Sequence, residues 1–179
     1  IDATAASACG VLYEWAEQIR WPLDAITCEA LFSGMATDTG WFRFSNTDGR
    51  TLRAAAALID AGVRPDLMYS RLIESYSPAR LRLMSQVLGT LELHGGDTIA
   101  VMTATRDMFA RARATPSDTE DVVNEPMGVG TVAVSILLSE AADGVVRVNL
   151  RSKSPEVVAR TIDVAAVART LGGGGHQRA

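Results

Sequence analysis

Residues 131–152 read TVAVSILLSEAADGVVRVNLRS, and the class of the fold turns on them. A β-branched apolar run is followed by Asp143-Gly144, and then by a second β-rich run, VVRVNLRS. Asp-Gly between two such runs is a hairpin signal, so strands are predicted over Thr131–Leu138 and Val145–Ser152. Working outward, Thr98–Thr103 (TIAVMT) is a further β-rich run, and Ala104–Ala112 suits a short helix. Thr115–Gly128, rich in acids and proline, reads as a loop with one helical turn. A helix over Pro155–Leu171 leads into Gly172–Gly175. Upstream the period changes to that of helices: Asp2–Arg20 with Asp2 as N-cap, Leu23–Ser33, Thr51–Ala61 stopped by Gly62, Pro65–Tyr76 and Pro78–Leu93. The expectation is an α/β protein, a helical half (residues 1–94) followed by a small α/β unit (95–179), with the boundary near His94-Gly95-Gly96.

Composition narrows the classes. With 47 % hydrophobic and 21 % charged residues in 179, the chain can bury a proper core. A net charge of −4 excludes a generic charge-driven coat for DNA or RNA, while leaving room for a local basic pocket. No stretch approaches the ~20 apolar residues of a membrane span, and no signal peptide opens the chain. Cys9 and Cys28 belong to no CxxC or Cys/His cluster, which argues against zinc and for free thiols in a reducing cytoplasm.

Three polar motifs carry candidate chemistry. Asp38, flanked by threonines and followed by Gly40, is either a carboxylate ligand for a divalent cation or a plain Asx-turn. Arg151, Ser152 and Lys153 close a predicted strand, either as donors to a phosphate or carboxylate or as an ordinary solvated strand end. Gly172–Gly175 before His176 is either a flexible linker or a loop whose amides approach an anion. It is neither a Walker loop nor a dinucleotide fingerprint, because no Lys-Ser/Thr follows it and no strand leads into it.

In this order TDTGWFRFSNT (37–47), VNLRSKS (148–154) and GGGGHQRA (172–179) resemble the DHH-family phosphoesterases over nearly the whole chain. The likeness is nearest to the bacterial oligoribonuclease/3′-phosphoadenosine-5′-phosphate phosphatase type. It implies that residues 1–94 are the C-terminal part of a DHH domain with its connecting helices. Residues 95–179 would be a DHH-associated domain, with a substrate cleft between the lobes. By the same likeness Asp38 is a ligand of a two-ion site, usually Mn²⁺. Arg151 and Ser152 contact a substrate phosphate, and Gly173, Gly174, Gly175 and His176 form the loop gripping the same end of the substrate. The implied substrates are short RNA, a nucleoside 3′,5′-bisphosphate or a linear or cyclic dinucleotide. The implied setting is the cytoplasm, away from membranes, with a homodimer left open. Asn124, in the acidic loop, is a candidate contact to a base or ribose.

The family's Asp-His-His triplet is missing, since the only histidines are His94 and His176. The expectation is therefore that an N-terminal segment of about 130–150 residues carries the other ligands, and that this chain alone is inactive. The competing class is a non-catalytic nucleotide- or RNA-binding module that kept the glycine loop. The cysteine reading yields a first prediction: no Cys9–Cys28 bond forms on non-reducing gels or by mass spectrometry, and its appearance would overturn the compartment argument.

Overall fold

The computed structural model describes residues 4–141 and 144–178, and the chain divides into two compact units, residues 1–75 and 76–179. The unit boundary falls earlier than the change of sequence period near residue 94. The helix over Pro78–Leu88 buries Leu83 and Val87 in the same core as the strand residues Met102 and Leu137, and so packs with the sheet.

The first unit is helical: α1 (Ala8–Gln18), α2 (Ala25–Asp38), α3 (Gly49–Asp60) and α4 (Pro65–Leu72). Ser7 caps α1, its Oγ accepting from the Gly10 amide at 3.0 Å, whereas the expected cap Asp2 lies outside the described residues. Periodicity located α1 but not its inward face. Tyr13 and Ala16 are buried, while Leu12, Trp15 and Ile19 stay exposed. Helix α2 runs past Ser33 to Asp38, because Phe32, Met35 and Ala36 continue its buried stripe. Gly34, an apparent breaker, sits where α2 meets α1, and a Cβ there would overlap the sulfur of Cys9. Phe32, Trp41, Phe42 and Tyr69 complete the core by tilted and edge contacts, with ring centroids 4.9–6.4 Å apart.

The second unit holds α5 (Pro78–Leu88), β1 (Glu92–His94), β2 (Ile99–Ala104), α6 (Arg106–Ala112), 3₁₀ turns at Pro116–Thr119 and Val122–Gly128, β3 (Val134–Glu140), β4 (Val146–Ser152), α7 (Pro155–Val158) and α8 (Val164–Thr170). The sheet order is β1-β2-β3-β4, with β2 and β3 parallel and both edge strands antiparallel to their neighbours. Strand β1, read as the end of a helix, has no apolar alternation to announce it, since all three of its residues are exposed. Strands β3 and β4 are antiparallel, with Gly144 at φ +80°, while Asp143 of the predicted turn lies outside the described residues. The single helix expected over Pro155–Leu171 is two. Ala159 turns left-handed at φ 52°, and Asp163 starts α8 anew by accepting from the Ala166 amide at 2.9 Å.

Among the described residues no helix is long and apolar enough to cross a membrane, and Cys9 and Cys28 are free thiols. In Gly34→Ala, better helix propensity contributes about 1 kcal/mol. Overlap with both Cys9 Sγ and Cβ opposes it at about 1–3 kcal/mol. The substitution should lower the urea midpoint, and a Cys9→Ala background should recover most of the loss in a double-mutant cycle.

Candidate functional site

The motifs singled out in the sequence fall in different units, and each is built from its own surroundings. In the first unit Asp38 is the last residue of α2, exposed and helical, rather than the centre of a polar loop. The helix stops by a Schellman motif in which Gly40, at φ 55°, donates to the Thr37 carbonyl and Trp41 to that of Ala36. The amide an Asx-turn would use is thus taken, which removes the Asx-turn alternative for Asp38. Asn46 Nδ2 reaches the Asp38 carbonyl at 3.1 Å and that of Ala6 at 3.2 Å, folding the 43–47 segment back over the helix end. The Asp38 carboxylate makes no hydrogen bond or ion pair among the described residues. The Cys9 thiol is raised first by burial and then by the Asp38 charge. Among the described residues no group of three or more His, Cys, Asp or Glu is placed to hold a metal ion. The residues present do not fit a complete divalent site, and Asp38 supplies one ligand at most.

In the second unit the four glycines divide in two. Gly172, at φ +77°, donates to Arg169 O at 3.2 Å and Gly173 to Ala168 O at 2.9 Å, a second Schellman motif that ends α8. Gly173 is therefore a helix-ending residue rather than a free donor. The amides of Gly174 and Gly175 have no partner among the described residues, and Gly175 sits at φ 149°, a conformation glycine alone adopts readily. Residues 177 and 178 are tied down. Gln177 O accepts from the Val164 amide at 3.0 Å and Arg178 O from the Ser152 amide at 3.1 Å. The tail beyond the glycines thus docks on the residue next to Arg151.

The strand-end trio separates by role. Ser152, 8 % exposed, donates its hydroxyl to Ile162 O at 3.1 Å and holds the α7–α8 connection. Lys153 Nζ donates to the carbonyls of Val129 and Gly130. Arg151 is half-buried, makes one local bond to Leu150 O at 3.0 Å, and carries no ion pair among the described residues. His176 is exposed. Asn124 donates to Asp121 Oδ1 at 3.1 Å within its own turn, which accounts for its side chain locally.

Sequence reasoning overlooked a cleft of about 720 Å³ beside β4, lined by Arg106, Arg147, Asn149, Arg151, Phe109 and Ser139 among others. Its signal was present: Arg147, Asn149 and Arg151 alternate along one strand and so share a face. What the alternation lacked was the register to say which face. Arg151 pairs with Ser135, Asn149 with Leu137 and Arg147 with Ser139, so the polar row borders the core-covered side of the sheet.

No family model matches the chain. It is 33 % identical over 163 residues to the bifunctional oligoribonuclease and PAP phosphatase NrnA of Thermus thermophilus, covering 91 % of this chain and 44 % of that protein. It is 27 % identical to the probable bifunctional oligoribonuclease and PAP phosphatase NrnA of Streptococcus mutans, over 98 % of this chain and 54 % of the relative. The chain spans about half the length of the curated relatives it matches. A crystal structure of an exopolyphosphatase-related protein from Bacteroides fragilis superposes with a TM-score of 0.87 at 23 % identity, over 98 % of this chain and 50 % of that one, and shares its fold. The resemblance to the oligoribonuclease/PAP phosphatase group of hydrolases is thereby borne out. The ligand count predicts that this chain binds Mn²⁺ no more tightly than a lone exposed carboxylate does. Tight stoichiometric uptake in calorimetry would show that further carboxylates are ligands.

Proposed function

We propose that this chain is the phosphate-recognising part of a metal-dependent phosphoesterase that hydrolyses short oligoribonucleotides and nucleoside 3′,5′-bisphosphates. The observation that carries this reading is the docked tail. A linker needs no hydrogen bonds beyond it, yet Gln177 and Arg178 are bonded back to α8 and β4 on the far side of two unpartnered glycine amides. Arg151 offers a fork that matches two phosphate oxygens. The amides of Gly174 and Gly175 add neutral donors, and His176 completes the grip. Donors of this kind let a chain of net charge −4 hold an anion without a basic surface. Ser152 is a positioning residue, since it anchors the tail through its own amide.

Asp38 is the residue through which this chain would join a two-Mn²⁺ centre, as one ligand among several. The free thiols Cys9 and Cys28 support a cytoplasmic setting. A second reading, a non-catalytic nucleotide- or RNA-binding module, is favoured by one observation, the lack of a metal-holding cluster among the described residues.

Binding of a nucleoside 3′,5′-bisphosphate to the chain tests the grip. Arg151→Ala or His176→Ala should each remove a charge-assisted hydrogen bond worth about 1.5–3 kcal/mol, roughly ten- to a hundredfold in affinity. Gly174→Val separates cradle from linker, because a Cβ at Gly174 meets no atom within 4 Å and the fold tolerates it. A cradle loses its close approach to phosphate and a linker does not. Wild-type affinity in both Gly174→Val and His176→Ala would reduce the glycines to a linker.

A further inference from the structure

The cleft beside β4 is left without a role by that reading. At about 720 Å³ it is within the size range of small-ligand pockets, and it lies wholly in the second unit. Ser139, on its floor, is 8 % exposed and its hydroxyl has no hydrogen-bond partner. A buried hydroxyl without a partner is unfavourable, so the site gains when a ligand supplies one. Above it Arg106 and Arg147 carry guanidiniums free of ion pairs among the described residues. Two acids share the lining, each with a partner: Glu140 accepts from the Arg106 amide at 2.9 Å and Asp121 lies 3.6 Å from Arg80. Glu120, on the rim, is exposed.

The lining is not that of a bare anion site. Phe109 contributes a half-buried aromatic ring, and Asn149, between the two β4 arginines, contributes an amide that donates and accepts. Guanidiniums and a hydroxyl suit a phosphate, while an amide and a ring suit the edge and face of a base. Arg151 lines the same cleft, two residues along one strand face from Asn149. Through Arg151 the cleft adjoins the phosphate grip proposed above. We infer that this cleft is a subsite for the nucleotide adjoining the one whose phosphate Arg151 holds, occupied by an oligoribonucleotide and left empty by a nucleoside bisphosphate. The inference rests on the grip proposed above for Arg151 and the glycine loop.

Affinities of the 179-residue chain for a 5′-phosphorylated triribonucleotide and for a nucleoside 3′,5′-bisphosphate test it. The triribonucleotide should bind at least tenfold more tightly. Arg147→Ala should lower its affinity about five- to tenfold more than that of the bisphosphate. Ser139→Ala should weaken the triribonucleotide several-fold yet raise the thermal midpoint of the free chain, because it deletes an orphaned hydroxyl. Ser135→Ala is the control. Its hydroxyl is equally unpartnered and fully buried but does not line the cleft, so the midpoint should rise with triribonucleotide affinity at the wild-type value. Equal losses for both ligands in Arg147→Ala overturn the subsite, as does a Ser139→Ala chain that behaves like Ser135→Ala. A wild-type chain that binds neither ligand instead overturns the grip at Arg151 and the glycine loop.

Discussion

Pairing Ser135 with Arg151 and Ser139 with Arg147 obliges every second residue of β4 to face the same side of the sheet as Met102, Ala104 and Leu137. That side is where α5, α6 and the 3₁₀ turns pack. A slip of one residue would carry Val146, Val148 and Leu150 to it and send the arginines to the opposite face. The register thus puts polar side chains at the border of an apolar core, with Arg151 half-buried and Arg147 and Asn149 exposed. Small residues make this tolerable. Ser135, Ser139, Ala100 and Ala104 leave room along the sheet that larger side chains would fill.

The backbone at both glycine-containing motifs follows one rule, that a helix end must find acceptors and donors for its unpaired groups. Gly40 and Gly172 each take the left-handed position after a helix, and the residue after each closes a bond back to the last turn. In the first unit this reverses the chain through Gly40, Trp41 and Phe42, all at positive φ, and drives two aromatic rings onto Phe32. The strain of two non-glycine residues there is offset by ring burial and by Thr39, whose hydroxyl donates to Met35 O at 2.6 Å and accepts from the Phe42 amide at 3.2 Å. In the second unit two glycines complete the stop and two more remain. That surplus goes beyond what a helix end requires, and the binding loop proposed above rests on it.

The likeness to oligoribonucleases and PAP phosphatases fits this division of labour. Those relatives are about twice as long, and among the described residues of this chain no cluster of His, Cys, Asp or Glu is placed to hold a metal ion. In a chain of net charge −4 positive charge is still concentrated locally: Arg106, Arg147 and Arg151 line one cleft without ion-pair partners among the described residues.

Much of this was legible in the sequence, for physical reasons. Asp-Gly between β-branched runs leaves the chain few options other than a hairpin, and helix-opening prolines and stopping glycines marked most element ends. The order of three motifs pointed to the family. Other features depend on partners that no local window contains. The continuation of α2 through Gly34 needs Cys9 of α1 as its neighbour. The division of Pro155–Leu171 needs Ile162 O to accept from Ser152. Strand β1 exists because β2 offers an edge. By itself the sequence determined the periods, the turns and the candidate polar residues, since these arise from bonds between near neighbours. Tertiary structure decided which donors are engaged among the described residues: Ser152 and Lys153 bond distant carbonyls, Arg151 bonds only the adjacent Leu150 O, and the last two glycine amides bond none, because hydrogen-bond occupancy is settled only when distant segments meet.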